Sequence, residues 1–265
     1  MTEDAMLQQA IIDAERAAEL SSATIREMQG SAEEVQVLDL LNRIWGRGQD
    51  NSVLPKDFLR VLGKTGNYIS GAFVNGELVG ASLGLHSSPE RLTLHSHISG
   101  VQPQLIGNSI GYALKLHQRA WALGRGIERI EWTFDPLISR NANFNIQKLG
   151  AVPVEYLENF YGPMSDAINA GDSSDRLLVR WHLRDPAVAA LLAEGTRLAM
   201  IDGSGVVAVP DDIETLRIAD PEKAREWRQQ VRQELGARLA GGERIVGFTR
   251  GAGYILDQTS EKGEK

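Results

Sequence analysis

The chain has 265 residues, 42% of them hydrophobic and 24% charged, with 28 Lys plus Arg against 35 Asp plus Glu and a formal net charge of −7. That length suits one large domain or two small ones, and that composition excludes disorder throughout. The acidic balance argues against bulk affinity for nucleic acid or anionic membrane, and the absence of cysteine removes disulfides, thiolate metal sites and cysteine nucleophiles together.

Apolar residues at Met6, Ala10, Ile11, Ala14, Ala17 and Ala18 recur at a helical period, which predicts an N-terminal helix within residues 1–23. This start lacks the basic, then continuously apolar pattern of a signal peptide, and no later stretch approaches the roughly 18 apolar residues of a membrane span. A cytoplasmic protein is therefore expected. A brief strand follows at 24–28. Ser31 and Glu34 have the spacing of a capping box, opening a helix with Val35, Leu38, Leu41, Ile44 and Trp45 on one stripe. Pro55 suits the first turn of a short helix through Gly63. Strands at 67–74 and 77–85 flank Asn75-Gly76, a pair that favours the tight hairpin turn because both residues tolerate positive φ.

A third strand spans 92–101 and ends before Pro103. A helix over 107–125 stops at Gly126, a strand covers 127–134, and a helix from Ser139 ends at Gly150. Strands are expected at 154–159 and 176–183. Beyond Asp185 the pattern predicts a helix at 187–193, strands at 197–201 and 206–209, a helix over 221–240, and a strand pair at 244–256. Trp227, Val231, Leu235 and Leu239 form the apolar row of the 221–240 helix, and residues 261–265 read as a disordered tail. The order of elements predicts an α+β fold, a mixed and mostly antiparallel sheet flanked by helices, with a C-terminal α/β extension. Its expected division is 1–23 as an N-terminal helix, 24–184 as a core, and 185–265 as the extension.

The most informative stretch runs from His95 to Gly150. A strand ends at a proline, a polar loop with Gly107, Asn108, Ser109 and Gly111 follows, and a long helix leaves directly from that loop. Unpaired N–H groups at a helix start, together with the helix dipole, favour an anion such as a phosphate there. Spacing alone fits a plain strand–turn–helix crossover as well.

This Pro-x-x-x-Gly-x-x-Ile-Gly pattern over 103–111 resembles motif A of the GNAT acyltransferases, and TFDPLISRNANFNIQKLGAV (133–152) resembles a downstream region of the same superfamily. LHSHISGV, GYALKLHQRAWAL, WTFDPL, RNANFNIQKLGA, NFYGPMSDAINAGDSSDRLLVRW, VAVPDDIE and REWRQQVRQELG are similar to a bacterial branch of that superfamily with a C-terminal extension. The resemblance covers most of residues 24–257. It implies a GNAT fold and an acyl-CoA cosubstrate, acetyl-CoA or succinyl-CoA, with transfer to the amine of a small molecule such as an amino acid. It also implies that the N–H groups of Gly107, Asn108, Ser109, Ile110, Gly111 and Tyr112 cradle the diphosphate, that main-chain groups of Ser99 and Val101 pair with the pantetheine arm, and that Asn141 contacts the cofactor. Ile106 and Ser109 stand where the family pattern has Gln or Arg and glycine. Ile146 stands where many members carry a tyrosine that protonates the leaving thiolate.

His95 and His97 lie two apart on a strand and so share a face. Near pH 7 a neutral imidazole at His97 suits proton removal from an incoming ammonium, whereas a hydrogen-bonded pair lining the sheet is the plainer reading, favoured for His95. Asp135 is a candidate amine binder or base, although Asp-Pro is also an ordinary turn opener and cap, the favoured role. Tyr156, Tyr161 and Asp166 lie in a polar, aromatic segment that fits a loop over an active site. There Tyr161 is a candidate replacement for the missing acid, set against plain packing of the loop onto the body. Solvated side chains are expected at Asn143 and Asn145. Arg225, Arg228 and Arg232 are expected on a solvated helix face balanced by Glu222, Glu226 and Glu234.

No metal site is supported, and Gly203-Ser204-Gly205 lacks the setting of a serine nucleophile. Two further readings are an aminoacyl-tRNA donor on the same fold, which the negative charge opposes, and a non-catalytic acyl-CoA-binding module. A homodimer formed by strand exchange through the extension is a reasonable expectation.

Overall fold

The structure is a computed structural model that describes residues 2–48, 51–162, 172–194 and 205–258. The strand expected at 197–201, the tail at 261–265, Asp166, and Gly203 and Ser204 all lie outside the described residues. The chain divides into two compact units, Met1–Glu131 with His182–Asp185, and Trp132–Trp181 with Pro186–Lys265.

The first unit contains α1 (Glu3–Leu20), β1 (Thr24–Glu27), α2 (Gly30–Ile44), α3 (Lys56–Lys64), β2 (Tyr68–Val74), β3 (Glu77–His86), β4 (Thr93–Val101), α4 (Ile110–Leu123) and the first half of β5 (Arg129–Phe134). Its strands lie in the order β1-β2-β3-β4-β5. The first four pair antiparallel and β4 pairs parallel with β5. Asn75 and Gly76 close the β2–β3 hairpin with φ of 51° and 81°, the left-handed pair that the right-handed twist of the strands requires.

Two apolar clusters hold helices to the two faces of this sheet. Val37, Leu38, Leu41, Leu59 and Leu62 of α2 and α3 pack with Ile69 and Leu83. Ile110 and Leu114 of α4 pack with Ala72 and Val79. The remaining side of α4 receives α1. There Asp13 and Arg119, each 1% exposed, face one another at 3.7 Å, and Arg119 also donates to the Leu183 carbonyl at 2.9 Å.

Helix α2 starts two residues earlier than its capping-box spacing predicts, with Gln29 rather than Ser31 before its first residue. Glu33, not Glu34, accepts the Gln29 N–H at 2.7 Å, because Arg26 of β1 grips the Glu33 carboxylate at 2.6 Å and holds it over the helix start. Glu34 is buried instead against Gly63, where a Cβ would stand 2.2 Å from its carboxylate. Pro55 occupies the position just before α3, not its first turn.

The second unit takes up the end of β5 and continues with α5 (Ser139–Ala142), a π-helix (Asn143–Lys148), β6 (Val152–Leu157), most of β7 (Arg176–His182), α6 (Pro186–Glu194), β8 (Gly205–Val207), α7 (Ile213–Ala219), α8 (Pro221–Val231), a second π-helix (Arg232–Gly236), α9 (Ala237–Ala240), β9 (Glu243–Thr249) and β10 (Gly253–Gln258). Here β7 lies between β5 and β6, and β10 lies between β8 and β9 in an antiparallel sheet of three. The expected single helix over 221–240 carries the π-turn in its middle. Its apolar residues recur every four positions, which outruns a 3.6-residue turn, and the wider turn keeps Val231 and Leu235 both at 0% exposure. The short α7 is absent from the sequence expectation. Among the described residues, no helix is long and apolar enough to cross a membrane.

Removing one member of a buried ion pair leaves the other charge uncompensated. Asp13→Ala is expected to lower unfolding free energy by about 3 kcal/mol in a denaturant titration, and Asp13→Asn by less.

Candidate functional site

The loop between β4 and α4 is solvent-exposed from Ile106 to Ser109. Gly107 has φ of 101°, a conformation that glycine adopts without penalty. Ser109, the residue before the helix, sits at φ 62° with no side-chain cap on the helix start. Among the described residues, the N–H groups of Gly107, Ser109, Ile110 and Gly111 meet no protein acceptor. Asn108 and Tyr112 differ from the expected cradle: their N–H groups turn back to the carbonyls of Leu105 at 3.2 Å and Ser109 at 3.0 Å. Four amides, not six, are therefore left without a protein acceptor among the described residues at the positive end of the α4 dipole.

Strand β4 runs up to this loop. Its ladder with β5 stops at the His95–Glu131 pair, so residues 96–101 pair with β3 alone among the described residues. On the β3 side the register shifts: Ser96 lies opposite Gly84 and Ile98 opposite Leu83, leaving His97 as one extra residue, a β-bulge. The bulge breaks the alternation that the sequence suggests. Ser96 accepts a hydrogen bond from Lys115 of α4 at 2.8 Å. Ser99 meets Ser82 at 2.7 Å, and Val101 packs with Ile110 and Leu114. All three are on the α4 side. Ile98 packs with the α2–α3 cluster and Gly100 lies against Trp45 and Ile44. By alternation with Leu94 and Ser96, His95 and His97 share the α2–α3 side, with ring centroids 5.9 Å apart.

Burial pushes both imidazoles below their ordinary range, and at His95 the neighbouring His97 and Lys115 add to the downward shift while Glu131 opposes it. Both rings are neutral at pH 7. Lys115, 6% exposed, is pushed down to about 7 by burial.

The other predicted residues belong to the second unit. Asp135 accepts from the Leu137 N–H at 2.9 Å, which is the turn-opening role. Its two carboxylate oxygens also receive Arg228 at 2.8 Å each, and Arg217 at 2.5 Å. Asp172 completes the group, receiving Arg217 at 3.0 Å and Arg228 at 2.9 Å. Desolvation raises the Asp135 carboxyl, but the Arg228 and Arg217 charges outweigh it and hold the group well below the usual carboxylate range. A carboxylate in this setting has no capacity left for a substrate amine or a proton at neutral pH. Arg228, expected on a solvated face, is 2% exposed because the acids that balance it come from other elements rather than from its own helix. Arg225 is exposed as expected, and Arg232 binds Asp175 at 2.6 Å.

Tyr161 is 44% exposed, with its hydroxyl 3.1 Å from Thr133 and its ring under the Arg176 guanidinium. Tyr156 donates instead to Asp175 at 2.8 Å. Asn141 is half-buried, and among the described residues its side-chain amide has no partner. Asn143 and Asn145 are buried rather than solvated, and Asn145 accepts from the Trp132 indole at 3.2 Å. Among the described residues, no group of three His, Cys, Asp or Glu could hold a metal.

No family model and no curated protein matches the chain in sequence. Solved structures do match it in shape. An N-acetyltransferase from Staphylococcus aureus Mu50 aligns at a TM-score of 0.51 and 15% identity, over 61% of this chain and 99% of its own. The protein yncA from Salmonella typhimurium, solved with its cofactor acetyl-CoA, aligns at 0.51 and 16%, over 63% and 96%. A GNAT-family protein from Desulfovibrio desulfuricans aligns at 0.50 and 12%, over 61% and 99%. The chain carries the GNAT fold.

Within that fold, the position where a tyrosine is expected belongs to Ile146, which is 3% exposed inside the first π-helix. The GNAT neighbours are matched nearly end to end while more than a third of this chain remains outside the match, in keeping with extra C-terminal elements. Those elements supply Arg217 and Arg228, and sequence spacing gave no sign of their partners.

Arg228→Met leaves Asp135 and Asp172 with one guanidinium between them and is expected to cost about 3 kcal/mol or more in unfolding free energy. Because the Asp135 pKa is depressed in the folded state, its contribution is full above the unfolded carboxylate range near pH 4 and declines as pH falls further. Wild-type stability measured from pH 7 to pH 2 is expected to fall most steeply below about pH 4, and more steeply than in Asp135→Asn.

Proposed function

We propose that the protein is an acyl-CoA-dependent N-acyltransferase that acylates the amine of a small molecule such as an amino acid, by direct transfer, with its core in residues 24–184. The observation that carries this reading is the combination, among the described residues, of four amides without a protein acceptor at the α4 start and a β4 segment without a ladder partner toward β5. Four N–H groups at a helix terminus fit a diphosphate, and an unpaired strand edge fits the amide-bearing arm that follows it. Gly107, Ser109, Ile110 and Gly111 would hold the former, and the main chain of Ser99 and Val101 the latter. When bound, the coenzyme supplies an acyl group activated as a thioester, acetyl or succinyl.

His97 is the residue that takes the proton from the incoming ammonium. Its half-buried, neutral ring is already the base form at pH 7, and it lies on the face of β4 away from α4. In the second unit Tyr161 keeps an exposed hydroxyl suited to proton donation and Asn141 an amide suited to a cofactor contact. Asp135 takes no part. The buried Ile146 favours a second reading, an acyl-CoA-binding module without turnover, which free-thiol release over an amine panel separates from the first.

Calorimetry with acetyl-CoA is expected to show binding, weakened about tenfold by Gly107→Ala, whose side chain would meet open space but a strained φ. His97→Ala is expected to lower kcat about a hundredfold, and the wild-type rate to fall only below about pH 6.5, where the depressed imidazole becomes protonated. No affinity for any acyl-CoA would overturn the reading.

A further inference from the structure

Ser96 and Ser99 sit on either side of the β4 bulge, and both point to α4. Three positions apart, two residues of a regular strand point to opposite faces, because side chains alternate with a period of two. Only the extra residue between them lets both face one helix. Each is held there by a buried partner. Lys115 donates to Ser96 at 2.8 Å and to the Gln118 carbonyl at 3.3 Å. The Gln118 amide reaches Ser82 at 3.5 Å, and Ser82 meets Ser99 at 2.7 Å. Ser82, Ser96, Lys115 and Gln118 are all at most 6% exposed.

We propose that Lys115 and Gln118 are positioning residues that lock the β4 bulge, and with it the direction of His97, to the same helix whose first turn forms the amide cradle. The argument is one of parity. If β4 slipped into regular pairing, either Ser96 or Ser99 would turn to the opposite face; the first loses the bond from buried Lys115, the second the bond to buried Ser82, on which the Gln118 amide rests. In the bulged register the bonds run unbroken from Ser96 through Lys115, Gln118 and Ser82 to Ser99. Apolar side chains of the same volume would fill this space equally well and would not discriminate between the two registers. Lys115 and Gln118 are three apart on α4 and therefore neighbours on its surface, so one helix turn pegs one flank of the bulge directly and the other through Ser82 of β3.

This inference rests on the proposed function for the meaning of the His97 direction, but its test does not. In ligand-free protein, Lys115→Met, Gln118→Leu and Ser96→Ala are compared with wild type by hydrogen exchange of the amides at 96–99 and by NMR titration of the His97 ring. Each variant is expected to exchange at least tenfold faster at 96–99 and to shift the His97 titration, while Lys115→Arg restores both in part. Coenzyme A affinity by calorimetry is expected to stay within about threefold, since the four cradle amides lie in the loop and first turn ahead of Lys115. With an amine that the wild type acetylates, kcat is expected to fall tenfold or more with KM for acetyl-CoA within threefold. Unchanged exchange and unchanged His97 titration in Lys115→Met and Ser96→Ala would overturn the lock. If Lys115→Met does not fold, Ser96→Ala and Gln118→Leu decide by the same readouts. Absence of coenzyme A binding in wild type would remove the proposed function and leave the exchange and titration results to decide the lock on their own.

Discussion

Strand β4 answers to two neighbours with different demands, and the first unit is arranged around that difference. Toward β3 it must stay paired along its length, which fixes its place over α2, α3 and α4. Toward β5 it pairs for three residues and then stops. A strand free on one side for its second half needs other means of keeping its register. The bulge, the polar pegs beneath it and the apolar contacts of Val101 with α4 supply them. The result, among the described residues, is a backbone edge that lacks a strand partner beyond His95 and yet is held in one register, the combination that a ligand reading main-chain groups requires.

The second unit solves a different problem, that of burying charge. Asp135, Asp172, Arg217 and Arg228 bring two negative and two positive groups into the interior, each with several charge-assisted hydrogen bonds. Such a set gains little over apolar packing but imposes strong geometric demands. It binds the turn after β5 to α7 and α8, elements some eighty and ninety residues later in sequence. Tyr254 adds a further tie by donating to the Pro136 carbonyl at 2.7 Å. The same turn is thus fixed by three separate parts of the C-terminal region.

What the sequence disclosed follows from how local each signal is. The Asn75-Gly76 turn, the α4 helix behind its glycine-bearing loop, and the strand expected at 127–134 all rest on patterns contained within a dozen residues, and each is present, the strand from Arg129 onward. The bulge at His97 left no such mark. Its cause lies in Lys115 and Gln118 on another element, and alternation read along LHSHISGV alone puts Ser99 on the wrong face. Arg228 was misread for the same reason. Its glutamate neighbours in sequence look like its partners, while its actual acids stand ninety-three and fifty-six residues away. The π-turn at 232–236 was legible in principle, since Trp227, Val231 and Leu235 recur every four residues rather than at the mixed three and four of a regular helix. Asn143 and Asn145 were legible as poor helix formers, but not as buried ones.

The first turn of α4 begins behind a serine held at φ 62°, a region that L-residues enter only at an energetic penalty and that glycine occupies freely. Substituting glycine there would relieve the backbone, so thermal robustness alone would not select a hydroxyl at this spot. An engineer who ranks replacements by melting temperature would reach Ser109→Gly early. Ser109 therefore marks a place where the chain carries a backbone cost that its own side chain does nothing to offset.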